Sequence, residues 1–168
     1  MTAEPPATSH QPRLYTVVTS CSAKGWLQYG KRFVQTFTDY WPSTVQLLVF
    51  SEDTEVVQAV RLGAFRGTSF DLLQASRPCK AFVERHAGNA RAHGRERHAD
   101  DRGWSEKKIA EGYNFRYDAF RFAKKVFAIE AAAKVVTHGR LFWVDADVVT
   151  FEPVPLDVLR TDHLLAGD

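Results

Sequence analysis

Apolar runs alternate with helical apolar stripes along the first sixty residues of the chain. Leu14–Ser20 and Val45–Phe50 are short runs rich in β-branched and large apolar residues, which predict buried strands. Between them, Lys24–Tyr40 repeats apolar residues every three or four positions, so one side of a helix faces a core. A weaker helical pattern covers Thr54–Leu62. Because strands that alternate with helices form parallel sheets, this order predicts a mainly parallel sheet covered by helices.

The second half of the chain continues this alternation after a polar interruption. Phe70–Arg85 predicts a helix interrupted at Pro78, and the polar stretch Ala87–Gly103 predicts a long flexible loop. Asn114–Thr137 predicts the longest helix, and Leu141–Val144 predicts a buried strand. The residues predicted to share the buried face of the long helix are Phe115, Ala119, Phe122, Val126, Ile129 and Ala133.

The two ends of the chain differ from its middle. Residues 1–12 contain three prolines and no apolar run, which predicts a disordered tail that is neither a signal peptide nor a membrane anchor. Residues 13–168 then form one domain, and no segment has the 18 or so apolar residues of a membrane span. The apolar pair Leu164-Leu165 predicts a further strand that is cut short.

The net charge of the chain limits its expected partners, and its cysteine content indicates its expected location. The net charge of +2 over 168 residues is too small to favour a nucleic acid or an anionic membrane surface as the partner. Cys21 and Cys79 are too few for a disulfide framework. We therefore expect a reducing, cytoplasmic location.

The most informative motif is Asp145-Ala146-Asp147, which directly follows the strand at Leu141–Val144. Open α/β sheets bind ligands at the carboxyl ends of their strands, where this strand delivers both carboxylates. Two neighbouring carboxylates resist joint ionisation unless a cation lies between them. Hard oxygen ligands favour Mg²⁺ or Mn²⁺, which also bind phosphate oxygens. The structural alternative is a pair of acids that only caps the next turn.

The segment Leu141–Phe151 (LFWVDADVVTF) resembles the strand-DxD segment of GT-A-fold glycosyltransferases. The order of predicted elements over residues 14–160 agrees with that family. The resemblance implies a GT-A-like, Rossmann-type α/β/α sandwich that transfers a sugar from a UDP- or GDP-sugar to an unknown acceptor. It also implies that Asp145 and Asp147 hold Mn²⁺ or Mg²⁺ bound to the donor diphosphate, with Asp145 also meeting the ribose or a metal-bound water.

The resemblance further assigns the residues at the ends of the first two strands. Thr19, Ser20 and Cys21 end the first strand, where such enzymes contact the nucleoside of the donor. Glu52 and Asp53 end the second strand, where a polar side chain meets the base or the ribose. In the structural alternative, these side chains only satisfy hydrogen bonds at the strand ends.

A second group of candidate residues lies on the long helix. Asp118, Arg121 and Lys125 have the spacing i, i+3, i+7, which places them along one helical face. Related enzymes direct an Asp and a basic residue of this helix toward the donor sugar and diphosphate, and arginine suits bidentate binding of phosphate. The alternative is a solvated face with an exposed ion pair worth well under ~1 kcal/mol.

Two other functions remain open. The segments that supply the acceptor site and the catalytic base in GT-A enzymes normally follow the DxD motif, and no catalytic residue is predicted here. The chain could therefore be a non-catalytic nucleotide-sugar-binding fragment. A phosphatase of haloacid-dehalogenase type would use Asp145 as its nucleophile. That motif normally opens its fold, whereas only about twenty residues follow it here.

Overall fold

A computed structural model describes residues 15–97 and 103–159. The predicted tail, residues 98–102 of the predicted loop, and Leu164-Leu165 lie outside the described residues. Four strands form one sheet in the order β3-β2-β1-β4, and all neighbouring pairs are parallel. The strands are β1 (Tyr15–Ser20), β2 (Val45–Ser51), β3 (Thr68–Asp71) and β4 (Arg140–Trp143).

Helices connect the strands. They are α1 (Ala23–Gly25), a π-helical turn (Trp26–Gly30), α2 (Lys31–Tyr40), α3 (Thr54–Leu62), α4 (Leu72–Ala75), α5 (Arg77–His86), α6 (Glu106–Glu111) and α7 (Ala119–Val135), with 3₁₀ turns at Phe115–Tyr117 and Leu156–Leu159. Over the described ranges, none of the helices combines the length and the hydropathy needed to cross a bilayer.

The sheet separates two apolar cores, because successive strand residues point to opposite faces. Val17 and Val49 pack with the π-helical turn, α2 and α3 on one face. Val18 and Leu48 pack with α4, α5 and α7 on the other face. The predicted fold class is confirmed: the described chain is an α/β/α sandwich of Rossmann-like architecture with a parallel sheet.

The prediction for Phe70–Arg85 was wrong at its start. Thr68–Asp71 forms β3, which pairs with β2 from Leu48 to Ser51. The strand is only four residues long and three of them are polar, so it lacks the apolar run that marks the other strands. The helical segment is interrupted, but at Ser76 between α4 and α5, and Pro78 lies in the first turn of α5, where its missing N–H costs no hydrogen bond.

The prediction for the long helix was wrong in its start and in its buried face. The helix begins at Ala119 rather than Asn114, and Asp118 caps it. The predicted face is mostly exposed, including Phe122 and Val126. The residues buried against the sheet are instead Ala128, Ala131 and Ala132. Phe127 packs against the same core, whereas Phe122 and Val126 are exposed, so large apolar side chains alone do not mark the core face of this helix.

Candidate functional site

An open cleft of about 740 Å³ lies at the carboxyl ends of β1, β2 and β4. The chain leaves β1 toward β2 and β3 on one side and returns to β4 on the other side, so the strand order reverses between β1 and β4. Open α/β sheets bind ligands beside such a switch point, because loops diverge there and leave a crevice. Helix α1, the π-helical turn and the start of α7 complete the cleft wall.

The end of β4 supplies two carboxylates to the cleft. Asp145 and Asp147 are exposed and line the cleft, while Ala146 between them is buried. The turn is closed by a hydrogen bond from the Val148 N–H to the Asp145 carbonyl oxygen, at 3.1 Å. The buried alanine anchors the turn, so both acids remain at the sheet edge.

Asp145 already has two hydrogen-bond donors. The Trp143 indole Nε1 donates to Asp145 Oδ1 at 2.7 Å, and Lys125 Nζ lies 2.9 Å from the same oxygen. These donors, together with the positive charges of Lys125 and Arg121, lower the pKa of Asp145, with the indole hydrogen bond as the largest cause. Asp145 Oδ2 accepts no hydrogen bond from a described residue, which leaves this oxygen available to a ligand.

The end of β2 is joined to α7 by an ion pair. Lys124 Nζ lies 2.7 Å from Glu52 Oε1 and 2.6 Å from Oε2. The ammonium also lies 4.4 Å from the centre of the Phe120 ring. Both charged side chains are mostly buried, with exposed fractions of 19% for Lys124 and 23% for Glu52. This pair fixes the Glu52 carboxylate in the cleft wall, and sequence reasoning missed Lys124 because its partner is 72 positions away.

The end of β1 presents Ser20 to the cleft but not Thr19. Thr19 is 1% exposed, and its hydroxyl has no hydrogen-bond partner among the described residues. Asp53 also does not line the cleft; its Oδ2 accepts the Ala23 N–H at 2.6 Å, at the start of α1. Asp53 thereby joins the ends of β1 and β2, as in the structural alternative for this residue.

Asp118 lies at the start of α7 with both carboxylate oxygens engaged. Oδ1 accepts the Arg121 N–H at 2.8 Å, so Asp118 is the N-cap of the helix. Oδ2 accepts the Tyr113 hydroxyl at 3.0 Å. Burial is the largest cause of a raised pKa for Tyr113, followed by this hydrogen bond. Asp118, Arg121 and Tyr113 all line the cleft, and the capping role of Asp118 fixes where α7 begins.

The described part of the predicted loop is tied to the start of α7. The Asn114 N–H donates to the Gly94 carbonyl oxygen at 2.7 Å, and the Phe120 N–H donates to the Ala92 carbonyl oxygen at 2.8 Å. His93 lines the cleft, with its ring centre 4.1 Å from that of Phe120. These contacts place a histidine in the cleft wall, a position that the polar pattern of the sequence did not reveal.

Cys21 also lines the cleft but is poorly suited to nucleophilic chemistry. Burial, and to a smaller extent the charge of Asp53, raise the pKa of Cys21 to about 12. The thiol therefore stays protonated near neutral pH, whereas the thiolate is the reactive form.

The acids at the end of β4 fit a divalent cation that takes most of its ligands from elsewhere. Among the described residues, no group of three or more His, Cys, Asp or Glu side chains could hold a metal ion. Mg²⁺ in proteins is commonly bound by one or two carboxylates together with substrate phosphates and water. Asp145 and Asp147 supply two such carboxylates in one open cleft. These residues therefore supply two of the ligands that such a cation needs.

Most of the candidate residues from the sequence meet in this cleft. Those that line it are Ser20, Glu52, Asp118, Arg121, Lys125, Asp145 and Asp147. These features define the class of the protein: a Rossmann-like α/β/α sandwich with an open cleft of mixed charge at the switch point of its sheet. No protein-family model matches the chain, and neither a curated protein nor a solved structure matches it.

Proposed function

We propose that the cleft binds a nucleoside-diphosphate sugar, UDP- or GDP-linked, and that the chain belongs to a metal-dependent glycosyltransferase. The observation that carries the proposal is the position of Asp145 and Asp147, which lie together at the carboxyl end of β4 and beside the switch point of a parallel sheet. Nucleotides bind at this place in open α/β folds, because the strand ends and helix starts there surround a crevice.

The charges of the cleft suit a diphosphate and a cation together. Its described lining includes the basic residues Lys24, Arg121, Lys124 and Lys125, and the acidic residues Glu52, Asp118, Asp145 and Asp147. A diphosphate needs cationic donors, and arginine in particular binds phosphate oxygens in pairs. A divalent cation needs carboxylates. Glu52 and Lys124 are paired with each other, and both carboxylate oxygens of Asp118 accept hydrogen bonds. The remaining cationic and anionic side chains of the cleft suit a metal–diphosphate complex better than either ion alone.

In the proposed reaction, the bond between the sugar C1 and the β-phosphate oxygen breaks, and its electron pair leaves with the nucleoside diphosphate. An acceptor hydroxyl forms the new bond to C1 and gives its proton to water in the open cleft. Asp145 and Asp147 would hold a Mn²⁺ or Mg²⁺ ion, which would stabilise the negative charge of the departing diphosphate. Arg121 and Lys125 lie in the cleft where they can donate to phosphate oxygens. We also propose a cytoplasmic location, because both cysteines are free.

The test is titration calorimetry of UDP and of GDP with and without Mn²⁺, on the wild-type chain and on Asp147→Ala. We expect the wild-type chain to bind one of the two nucleotides in a metal-dependent way. Asp147→Ala removes a proposed metal ligand, and we expect it to weaken that binding by at least roughly 10–100-fold. A loss of this size is typical when a residue that supports a metal ligand is replaced. Asp157→Ala is the matched control, because Asp157 is exposed on the 3₁₀ turn after β4 and does not line the cleft.

Three results would distinguish the proposed glycosyltransferase from a non-catalytic binding fragment and from a phosphatase. Metal-dependent affinity retained by Asp147→Ala would contradict the proposal. Nucleotide binding by the wild-type chain without release of UDP or GDP from any nucleotide sugar would favour a non-catalytic binding fragment. Hydrolysis of a generic phosphate ester that Asp145→Asn abolishes would favour a phosphatase.

A further inference from the structure

Lys125 places a positive charge beside a carboxylate that the proposed function assigns to a divalent cation. Its Nζ lies 2.9 Å from Asp145 Oδ1 and 4.8 Å from the centre of the Trp143 ring. The exposed fractions of the side chains are 36% for Lys125 and 60% for Asp145. Because the ion pair faces the open cleft, an incoming ligand can reach both of its members.

The ammonium of Lys125 disfavours a metal cation at Asp145, because both are positively charged. A divalent ion held by Asp145 and Asp147 would lie close to the Lys125 ammonium, and like charges at such a separation repel even in a solvated site. A diphosphate changes this balance, because its oxygens accept hydrogen bonds from the ammonium and bind the metal at the same time. The ammonium and the cation can then both be near Asp145 with an anion between them.

We infer that Lys125 makes metal binding at Asp145 and Asp147 conditional on the nucleoside diphosphate; this inference rests on the proposed function. Without nucleotide, the ammonium neutralises Asp145 and disfavours the cation. When a diphosphate binds, Lys125 exchanges its carboxylate partner for a phosphate oxygen, and the cation binds the carboxylate. The coupling is reciprocal, so the metal strengthens nucleotide binding by the same factor.

The neighbouring lysine, Lys124, is not suited to such an exchange of partners. Lys124 contacts both oxygens of Glu52 and lies over the Phe120 ring, and its side chain is 19% exposed. Breaking that pair would leave two partly desolvated charges without partners. The adjacent lysines of α7 therefore have different roles: Lys124 fixes the end of β2, and Lys125 responds to ligands at the end of β4.

The test measures Mn²⁺ affinity by electron paramagnetic resonance, alone and with saturating UDP or GDP, in wild type and Lys125→Met. We expect Lys125→Met to raise the affinity for Mn²⁺ alone on the order of tenfold, since one nearby repulsive charge is removed. The factor by which the nucleotide raises Mn²⁺ affinity should fall by a similar amount. Lys125→Arg keeps the charge and should retain most of the coupling.

Lys134→Met is the matched control, because Lys134 also lies on α7 and pairs with Glu130 at 2.7 Å, outside the cleft. It should leave both Mn²⁺ affinities unchanged. If wild type binds nucleotide with Mn²⁺ and Lys125→Met changes neither the Mn²⁺ affinity nor the coupling, the inference is overturned and the proposed function stands. If wild type binds neither nucleotide at any Mn²⁺ concentration, the proposed function fails and the inference with it.

Discussion

Asp145 shows how neighbouring side chains set the state of one carboxylate. The indole of Trp143 and the ammonium of Lys125 donate to the same oxygen, and both favour the ionised form. The pKa of Asp145 is therefore lowered, so its paired state is fully formed above about pH 4, the usual Asp range. The stabilisation from this pair is lost as the pH falls through the lowered pKa, because protonation removes the charge that the two donors bind.

Removing the indole donor should raise the pKa of Asp145. In Trp143→Phe the ring remains but its N–H is gone, so we expect the Asp145 titration midpoint to move up toward the usual value of about 3.9. Carboxyl ¹³C NMR titration measures this midpoint directly. Trp41→Phe is the control, because the Trp41 indole donates to the Thr150 hydroxyl instead. An Asp145 midpoint that is unchanged in Trp143→Phe would show that the indole does not set its charge state.

The role of some single side chains, such as Arg66, could not be predicted from the sequence. The guanidinium of Arg66 closes the end of α2 and the turn after it by donating to backbone carbonyls. The acceptors are the carbonyl oxygens of Phe37, Trp41, Pro42 and Val45. Nothing in the local pattern around Arg66 indicates this role. Partners distant in sequence, as for Arg66 and for Lys124 with Glu52, follow from the packing and not from local periodicity.

At the scale of elements, the strands with apolar runs were predictable, including β4, although this edge strand of the described sheet is only partly buried rather than buried as predicted. β1 and β2 are buried along most of their length, so their apolar runs mark them clearly. β3 has only four residues, three of them polar, so the sequence pattern predicts no strand there and assigns Phe70 and Asp71 to a helix. The face of α7 was misjudged for a related reason: its buried residues are alanines, which carry little hydrophobic signal.

Gly94 has the most tightly constrained backbone position among the described glycines of the connection from α5 to α7. Gly94 has a φ of +63°, and a Cβ there would overlap the Asn114 carbonyl oxygen and lie 3.0 Å from the Asp118 N. Gly94→Ala should therefore lower the free energy of unfolding by about 1–3 kcal/mol, through left-handed strain and a displaced start of α7. Urea denaturation measures this change.

Gly88→Ala is the control for this prediction, since no atom lies within 4 Å of a Cβ at Gly88. It should alter the free energy of unfolding by less than about 0.5 kcal/mol. Equal effects of the two substitutions would contradict the tight contact at Gly94. Because Asp118 and Arg121 begin α7, Gly94→Ala should also weaken nucleotide binding, whereas Gly88→Ala should not.

At the scale of the whole molecule, the parallel topology of the sheet brings residues that are far apart in the sequence to one cleft. The residues that end β1, β2 and β4 are far apart in the chain, yet parallel pairing brings Ser20, Glu52 and Asp145 to the same edge. The parallel arrangement was predictable from the alternation of elements, and the meeting of strand ends follows from it. The tying of Asp53 to α1 and the burial of Thr19 were not predictable, because they depend on side-chain direction at the strand ends.

The central claim is that the carboxylates after β4 hold a divalent cation together with a nucleoside diphosphate. The most direct measurement is anomalous X-ray scattering from crystals grown with Mn²⁺ and the nucleotide that binds, UDP or GDP. The account predicts a manganese peak within about 2–2.5 Å of carboxylate oxygens of Asp145 or Asp147 and in contact with the diphosphate. A nucleotide bound in the cleft with no manganese at these carboxylates, or manganese bound at a different place, would contradict it.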